Sequence, residues 1–380
     1  MIVVIMAAAL IFVTALDADA QAPIRIGASL SLTGTYAKLG KYQHEGYQLC
    51  QKDLNAQGGL LGRKVEFVVY DDQSMPPTGV RLYERLLDGP VLLARHRGGR
   101  QRDRKVQEGD GGAVGGDDRH LPEGASAQIH LHGPLARRGL LRRPHRHRDE
   151  TWAQDGVVNE DTLFSKAAAA GAVNLAKKKG MQVVFQEAYP KGNTDFSGLL
   201  TKIKGVNPDV LAAATYFDDA VALTRQMREL NVNPKMYGVT IGGDLPEFYD
   251  TLKGNAEYVY GATQWEPALN YPGNREFVES YRAEFKREPS YFAAAGYAGC
   301  LVYTEGVKRA GSLDADKVRE HILKLDLRTP FGEFKVDPDG VQLAHKMVTF
   351  QWQKEKKVIV WPDDLAQGKV LFPTPPWTSR

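Results

Sequence analysis

Apolar segments of strand length alternate with amphipathic segments of helix length along most of this chain, and this alternation restricts its fold more than any other feature. Strands are predicted at residues 24–30, 65–70, 182–187, 209–214, 235–239, 258–263 and 349–360. Helices are predicted at residues 42–56, 76–87, 161–179, 196–204, 218–230, 277–286 and 297–308. Strands that alternate with helices of this length form right-handed βαβ units and parallel sheets. The sequence therefore predicts an α/β fold.

The chain is long enough for two α/β units of this kind, and its composition is that of a globular protein. The chain has 380 residues, of which 43% are apolar and 25% charged, as is ordinary for a soluble globular protein. We expect two lobes, each a parallel sheet flanked by helices. Lobe I is expected to comprise residues 23–140 and 264–347, and lobe II residues 141–263 and 348–380.

Residues 88–157 interrupt this pattern. These 70 positions contain 12 Arg, 12 Gly and six of the nine His, but one Lys and no Tyr, Phe, Asn or Met. A segment with so few aromatic and β-branched residues cannot bury enough apolar surface to offset an ordering entropy of roughly 1.5 kcal/mol per residue. We therefore expect this segment, including the 88–140 part of lobe I, to be disordered or misfolded.

A shifted reading frame explains the composition of residues 91–157. Moving the codons by one base from Val91 permits Tyr-Ser-Ser-Pro-Ala-Thr in place of Val-Leu-Leu-Ala-Arg-His, and other parts of the segment also permit patterned sequence. The middle base of each shifted codon is partly free, so the written residues are compatible with this patterned reading. We interpret residues 91–157 as the result of a frameshift or a sequencing artefact, with the original reading frame restored near Val157.

The amino terminus has the pattern of an export signal. Residues 2–16 are apolar apart from Thr14, and Ala18-Asp19-Ala20 provides a small-x-small cleavage site. A run this short is typical of a secretory signal rather than of a membrane span. The absence of Lys and Arg before the run departs from the usual pattern, and a buried first strand or helix is the alternative. We expect residues 1–22 to be a signal peptide and the protein to be periplasmic.

The two cysteines, Cys50 and Cys300, fall in the middle of predicted helices. Export would permit a disulfide between them. Two mid-helix positions rarely present their Cβ atoms to each other, however, so the sequence favours buried free thiols.

Three motifs carry a specific resemblance. Residues 29–40 read Ser-Leu-Ser-Leu-Thr-Gly-Thr-Tyr-Ala-Lys-Leu-Gly, residues 53–63 read Asp-Leu-Asn-Ala-Gln-Gly-Gly-Leu-Leu-Gly-Arg, and residues 70–73 read Tyr-Asp-Asp-Gln. They resemble the periplasmic substrate-binding proteins of branched-chain amino-acid type ABC transporters, the leucine-binding protein family with the type I periplasmic binding fold. The resemblance extends over about 24–87 and 159–350, and the shifted frame adds the Tyr-Ser-Ser motif of that family.

The resemblance implies a solute held between the lobes and delivered to an ABC permease by a monomeric protein without a cofactor. The candidate ligand-binding residues are Tyr36 and Leu39 from lobe I and Phe164, Tyr216, Thr240 and Asp244 from lobe II. In the family, hydroxyl and backbone N–H groups from Ser-Ser and Ala-Thr loops hold the solute carboxylate. Both loops would fall within residues 91–157, so we expect binding to be impaired in the chain as written.

The chemistry of the solute stays open at this point. The glutamate with which the family binds the solute ammonium aligns with Thr240, which leaves Asp244 as the nearest carboxylate. A buried ammonium needs a partner charge. The solute is therefore an α-amino acid if Asp244 takes over this role, and otherwise an aromatic or aliphatic carboxylate without an amine. Asp244 also has a structural interpretation, as the start of a helix at Leu245.

Other functional classes have weaker support. His130, His132, His145 and His147 lie among many arginines, but no Cys, aromatic residue or helix cap accompanies them, so neither a metal site nor nucleic-acid binding is expected. Asp71-Asp72 has no partner for acid–base catalysis, and no nucleophile motif occurs, so an enzyme is not expected. A ligand-sensing regulator of the same fold and a non-functional pseudogene product are the remaining alternatives.

We predict that resequencing the gene across codons 90–157 will reveal a one-base insertion or deletion near codon 91 and a compensating change near codon 157. Such a pair of changes would restore the patterned sequence without altering the flanking segments. An uninterrupted frame over these codons would contradict the interpretation.

Overall fold

A computed structural model describes residues 21–88 and 154–380 of the chain. The strands are β1 (Ile24–Leu30), β2 (Val65–Asp71), β3 (Gln154–Glu160), β4 (Gln182–Tyr189), β5 (Val210–Ala214), β6 (Met236–Val239), β7 (Tyr260–Thr263), β8 (Asp326–Thr329), β9 (Gly332–Lys335), β10 (Val348–Gln353) and β11 (Lys356–Trp361). The helices are α1 (Ala37–Ala56), α2 (Pro76–Asp88), α3 (Leu163–Lys178), α4 (Ser197–Val206), α5 (Phe217–Glu229), α6 (Pro246–Leu252), α7 (Asn274–Phe285), α8 (Tyr291–Ala310) and α9 (Ala315–Ile322). Two short 3-10 helices cover Lys253–Ala256 and Trp377–Ser379.

The larger sheet has seven strands in the order β11-β10-β7-β6-β5-β3-β4. Strands β3 to β7 are parallel, as the sequence predicts, and β5, β6 and β7 are buried along their whole length. Continuous burial is the pattern of parallel strands covered by helices on both faces. For naming, residues 154–263 and 348–380 are called lobe II, and residues 21–88 and 264–347 are called lobe I.

The sheet was predicted to be purely parallel, but the strands at its carboxyl-terminal edge are antiparallel. The single strand expected at 349–360 is a hairpin, in which β10 pairs antiparallel with both β7 and β11. Lys354 and Glu355 form its turn, and both have positive φ, 51° and 68°. Two-residue hairpin turns of type I′ require positive φ at both central residues. The sheet of lobe II is therefore mixed.

Lobe I is built on the parallel pair β1 and β2 and on helices from both ends of the chain. Ile24 lies opposite Val65, and the pairing continues to Leu30 opposite Asp71. Alternate residues of β1 are buried, and they form an apolar cluster with residues of α1 and α8. Lobe I also contains the β8–β9 hairpin, which the sequence analysis did not predict.

The boundaries of the atypical segment differ from those expected. Disorder or misfolding was predicted over about 88–157, but helix α2 includes Asp88 and strand β3 begins at Gln154. Val157 is fully buried in the sheet of lobe II. The remainder of that segment, like the expected leader, lies outside the described residues. Among those residues, no helix is both long enough and apolar enough to cross a membrane.

The two cysteines form a disulfide, so the prediction of free thiols is wrong. Gly46 of α1 packs against the backbone of Ala293 and Tyr297 in α8, so closely that a Cβ atom would lie 2.2 Å from the Ala293 carbonyl oxygen. Gly296 approaches the Gln43 carbonyl oxygen in the same way. One helical turn further along each helix, Cys50 and Cys300 have their Cα atoms 6.4 Å apart. The glycines thus bring the two mid-helix positions within disulfide distance.

Removing the disulfide with the double substitution Cys50→Ala and Cys300→Ala should lower the free energy of unfolding by about 2–5 kcal/mol, because the bond closes a long loop in the unfolded chain. Denaturant titrations with and without a reducing agent measure this effect. The parent protein should lose stability on reduction, and the double variant should not respond. Two titratable thiols in the oxidised native protein would contradict the assignment.

Candidate functional site

Two aspartates at the end of β2 shape the loop between β1 and α1. Asp71 accepts hydrogen bonds from the backbone N–H groups of Leu32 (2.9 Å) and Thr33 (3.1 Å) and from the Thr33 hydroxyl (2.6 Å). The bond from that hydroxyl is the largest of the effects that lower the pKa of Asp71. Asp72 accepts a hydrogen bond from the hydroxyl of Ser31 (2.6 Å). Their role in the structure is to hold the loop that leads to the first candidate residue.

Tyr36 lies at the amino-terminal end of α1 and is held there by Ser74. The Ser74 hydroxyl accepts a hydrogen bond from the Tyr36 backbone N–H (2.9 Å) and donates one to the Thr33 carbonyl oxygen (2.8 Å). Gly34, at φ +80°, passes so close to the Gln73 carbonyl oxygen that a side chain there would collide with it. The loop between β1 and α1 therefore fixes the position of the Tyr36 backbone.

Aromatic rings from both lobes meet at this point. The ring centroid of Tyr36 lies 4.6 Å from that of Tyr216, and the Phe164 centroid lies 5.9 Å from Tyr216. Burial raises the pKa of both tyrosines. The structure therefore brings together three of the six predicted residues, one from lobe I and two from lobe II, and we call Tyr36, Phe164 and Tyr216 the aromatic trio.

Two lysines lie across the same boundary, and the sequence analysis missed both. The ammonium of Lys191, in lobe II, lies 4.4 Å from the ring centroid of Tyr36 in lobe I. The ammonium of Lys38, in lobe I, lies 3.4 Å from the ring centroid of Phe217 in lobe II. Each is a cation–π contact between the lobes. No sequence pattern marks a lysine as one that will lie on a ring of the other lobe.

Tyr216 is oriented by a buried carboxylate of its own helix. It is the N-cap residue of α5, and its backbone N–H donates to Oδ1 of Asp219 (2.8 Å). The other oxygen of Asp219 accepts a hydrogen bond from the Tyr189 hydroxyl (2.6 Å). Burial raises the pKa of Asp219 to about 6. The backbone of Tyr216 is thus fixed at the carboxyl end of β5.

The other three predicted residues, Leu39, Thr240 and Asp244, have different contacts. The Thr240 hydroxyl accepts a hydrogen bond from the Thr215 N–H (2.9 Å) and donates one to the Thr215 carbonyl oxygen (2.8 Å), so it joins the ends of β5 and β6. Leu39 packs against an apolar cluster that contains Leu245 and Trp265. Their contacts are those of packing within the protein.

Asp244 is almost fully buried beside a cation. One of its carboxylate oxygens accepts a hydrogen bond from the Gly242 N–H (3.1 Å). The Lys357 ammonium donates to the Asp244 backbone oxygen (2.6 Å) and forms an ion pair with Glu266 (2.6 Å). Burial raises the pKa of Asp244 to about 6 and that of Glu266 to about 7, although Lys357 opposes both shifts. The helix that was expected to start at Leu245 begins at Pro246, with Leu245 as its N-cap.

Glu160, at the end of β3, is a further carboxylate that the sequence analysis did not select. It is 2% exposed, and its Oε1 accepts a hydrogen bond from the Gly192 N–H (3.2 Å). Its Oε2 is buried and has no hydrogen-bond partner among the described residues. Burial raises the pKa of this carboxyl group. Within residues 21–88 and 154–380, no group of three or more His, Cys, Asp and Glu side chains could hold a metal ion.

Strand ends thus bring aromatic and charged side chains of the two lobes into contact, and ligands of open α/β sheets bind at such strand ends. The family model described as periplasmic binding protein matches residues 23–94 and 150–357. The chain therefore belongs to this family of solute-binding proteins, which confirms the resemblance given by the loop motifs.

Two curated relatives have similar lengths. Leu/Ile/Val-binding protein homolog 7 of Brucella abortus (strain 2308) is 25% identical over 384 residues, which span 94% of this chain and 96% of the relative. The leucine-, isoleucine-, valine-, threonine-, and alanine-binding protein of Pseudomonas aeruginosa is 22% identical over 345 residues, or 87% of this chain and 90% of the relative.

Solved structures confirm the fold. A leucine binding protein, LivK, from Thermotoga maritima has a TM-score of 0.71 and 21% identity, and the match covers 90% of this chain and 100% of that one. A solute binding protein of an ABC transporter from R. palustris, solved in complex with benzoate, has a TM-score of 0.69 and 17% identity, with 89% and 96% covered. The structural similarity thus includes proteins with different solutes.

The buried Asp244–Lys357–Glu266 group predicts a pH dependence of stability. Because burial raises both carboxyl pKa values, the folded state binds more protons than the unfolded state between about pH 4.5 and 7, and these groups make stability fall as pH rises. Glu266→Gln removes one group and should make the slope of unfolding free energy against pH more positive, by up to about 1.4 kcal/mol per pH unit. Denaturant titrations from pH 5 to 8 measure it.

Exposed Glu279→Gln is the control for this comparison and should leave the slope unchanged. An identical slope for Glu266→Gln and the parent protein would contradict the assignment.

Proposed function

We propose that this protein is the extracytoplasmic solute-binding component of an ABC importer for amino acids or related small carboxylates. The observation that carries the proposal is the contact of Tyr36 from lobe I with Tyr216 from lobe II, in a chain that belongs to the periplasmic binding protein family. A solute that contacts both lobes stabilises their closed arrangement, and closure is the usual response of such proteins. The names of the relatives and structural neighbours, which bind branched-chain amino acids or benzoate, support this range of solutes.

The six residues selected from the sequence have two roles in this proposal. Tyr36, Phe164 and Tyr216 contact the solute through their rings, since they are the ones that face one another across the lobes. Leu39, Thr240 and Asp244 form the wall behind them. Support for this division comes from the hydrogen bonds of Thr240 and Asp244 within lobe II and from the apolar packing of Leu39.

Export and delivery complete the proposed function. The leader at residues 1–22 would direct the protein to the periplasm, where the disulfide between Cys50 and Cys300 is compatible with the oxidising conditions. There the protein would act as a monomer that delivers its solute to a permease in the inner membrane. The family to which the chain belongs supports both steps, because its members are solute-binding proteins of the periplasm.

We further propose that residues 91–157 are read in a shifted frame and that solute binding is impaired as a result. The family model matches up to residue 94 and again from residue 150, and the interval lies within the segment of atypical composition. In the shifted frame, the loops that the family uses for the carboxylate fall within residues 91–157. Losing two charge-assisted hydrogen bonds of about 1.5–3 kcal/mol each would reduce affinity by roughly two to four orders of magnitude.

Comparing the chain as written with a frame-restored chain tests this function. Thermal shift measurements with amino acids, amides and aromatic acids should show a rise in melting temperature for the restored chain with at least one solute, and little or none for the chain as written. Isothermal titration calorimetry then gives the affinities. Micromolar or tighter binding by the chain as written would contradict the proposed impairment.

The restored chain also allows a test of the aromatic trio. Tyr216→Ala and Phe164→Ala should each abolish or strongly reduce the thermal shift, because each removes a ring from the cleft. Tyr83→Ala, at a half-exposed tyrosine of α2, is the matched control and should retain it. A restored chain that responds to no small anion or zwitterion would disprove the proposed function.

A further inference from the structure

One face of α1 lies against lobe II. Lys38, Tyr42 and Glu45 follow one another at spacings of four and three residues, so they share one face of the helix. The Lys38 ammonium lies over the ring of Phe217 in lobe II. The Tyr42 hydroxyl donates a hydrogen bond to Glu247, the acidic residue in the first turn of α6 (3.1 Å). Neither Tyr42 nor Glu247 is among the residues proposed to contact the solute, so their contact joins the lobes outside the aromatic trio.

Arg287 adds to this contact from a position that is fixed within lobe I. Its guanidinium lies 3.8 Å from the centroid of the Tyr42 ring and 3.6 Å from the Glu247 carboxylate. Glu45, which is 7% exposed, accepts one hydrogen bond from Arg287 (2.5 Å) and another from the Tyr281 hydroxyl. All of these residues except Glu247 belong to lobe I. When the lobes separate, this group therefore loses only its contacts with Glu247.

The exposure of Glu247 suits a contact that forms and breaks. Its side chain is 30% exposed, so water can replace Tyr42 and Arg287 as its partners. The Lys357–Glu266 pair also joins the lobes, but its side chains are only 13% and 6% exposed, and Glu266 lies close to the end of β7, where the chain passes from lobe II to lobe I. Breaking that pair would leave a charge buried without its partner. The Lys357–Glu266 pair thus suits the hinge, and Glu247 suits a boundary that opens.

We propose that Tyr42 and Arg287 of lobe I and Glu247 of lobe II form a latch that holds the lobes together without contact with the solute. The latch shifts the equilibrium between separated and closed lobes toward the closed arrangement. A solute that needs the closed arrangement binds more tightly when that arrangement is already populated. The latch therefore sets solute affinity from outside the solute site. Its contribution is modest, about 3- to 10-fold in the closed-to-open ratio, because the contacts are partly exposed.

Distance measurements by electron paramagnetic resonance on the full chain as written test the latch without any solute. Spin labels at Val80→Cys in α2 and Leu163→Cys in α3 report on lobe separation, because both side chains are exposed and both helices begin beside the loops that carry the aromatic trio. Glu247→Ala should lower the ratio of short to long distances by about 3- to 10-fold. Glu229→Ala, at the exposed carboxyl-terminal end of α5, is the control and should leave the distribution unchanged.

Tyr42→Phe is a second variant, which keeps the ring under Arg287 and removes only the hydrogen bond to Glu247. Alone it should shift the distances in the same direction by a smaller amount. Combined with Glu247→Ala it should add nothing, because its partner is already absent. Denaturant titrations of the same variants measure stability separately. A loss of stability with unchanged distances would show a structural role only and would overturn the latch, as would equal distances in the parent and in Glu247→Ala.

The frame-restored chain tests the effect on solute affinity, with L-leucine and benzoate as probes. Calorimetry should show binding of a probe that Glu247→Ala weakens by about 2- to 10-fold and Glu229→Ala does not. Equal affinity in the parent and in Glu247→Ala would overturn the influence of the latch on the solute. Binding of neither probe, nor of any other small anion or zwitterion, would overturn the proposed function instead, and the distance measurements alone would then decide whether the latch exists.

Discussion

The parallel arrangement of β3, β5 and β6 is the constraint on which the site depends. Parallel strands end at the same edge of a sheet, so residues that follow different strands are brought together although they are far apart in sequence. Glu160 ends β3, Tyr216 follows β5 and Thr240 follows β6. The hydrogen bonds between Thr240 and Thr215 join two of these ends directly. One edge of the sheet thus brings these three residues of lobe II together.

Contacts between the lobes use both rings and charges. Beyond the aromatic trio, the Tyr42 hydroxyl of α1 donates to Glu247 of α6 (3.1 Å), and the Arg287 guanidinium lies over the Tyr42 ring and 3.6 Å from Glu247. Arg287 also pairs with Glu45 of its own lobe (2.5 Å). Partly exposed ion pairs contribute little stability each. These partly exposed contacts add to the more buried ion pair of Lys357 with Glu266, which also joins the two lobes.

The sequence predicted the βα alternation and the loop motif well, because both depend on local patterns. The sequence did not predict the features that depend on which residues lie close together in the folded chain. The hairpin turn at Lys354 and Glu355 has none of the glycine or asparagine that usually supplies positive φ. The disulfide depends on Gly46 and Gly296, which permit a close helix contact that spacing alone does not reveal. Glu160 resembles any acidic residue after a strand until the burial of its unpaired oxygen is known.

The two lobes differ in what stabilises them. Lobe II has a seven-stranded sheet and a large apolar cluster that includes Phe196, Phe248 and Trp377. In the described residues, the sheet of lobe I consists of β1 and β2, and a two-stranded sheet is marginal without additional packing. Helices α1 and α8 provide that packing, with the disulfide between them at the centre of the β1 cluster. The disulfide therefore cross-links the two helices that pack on β1 and β2.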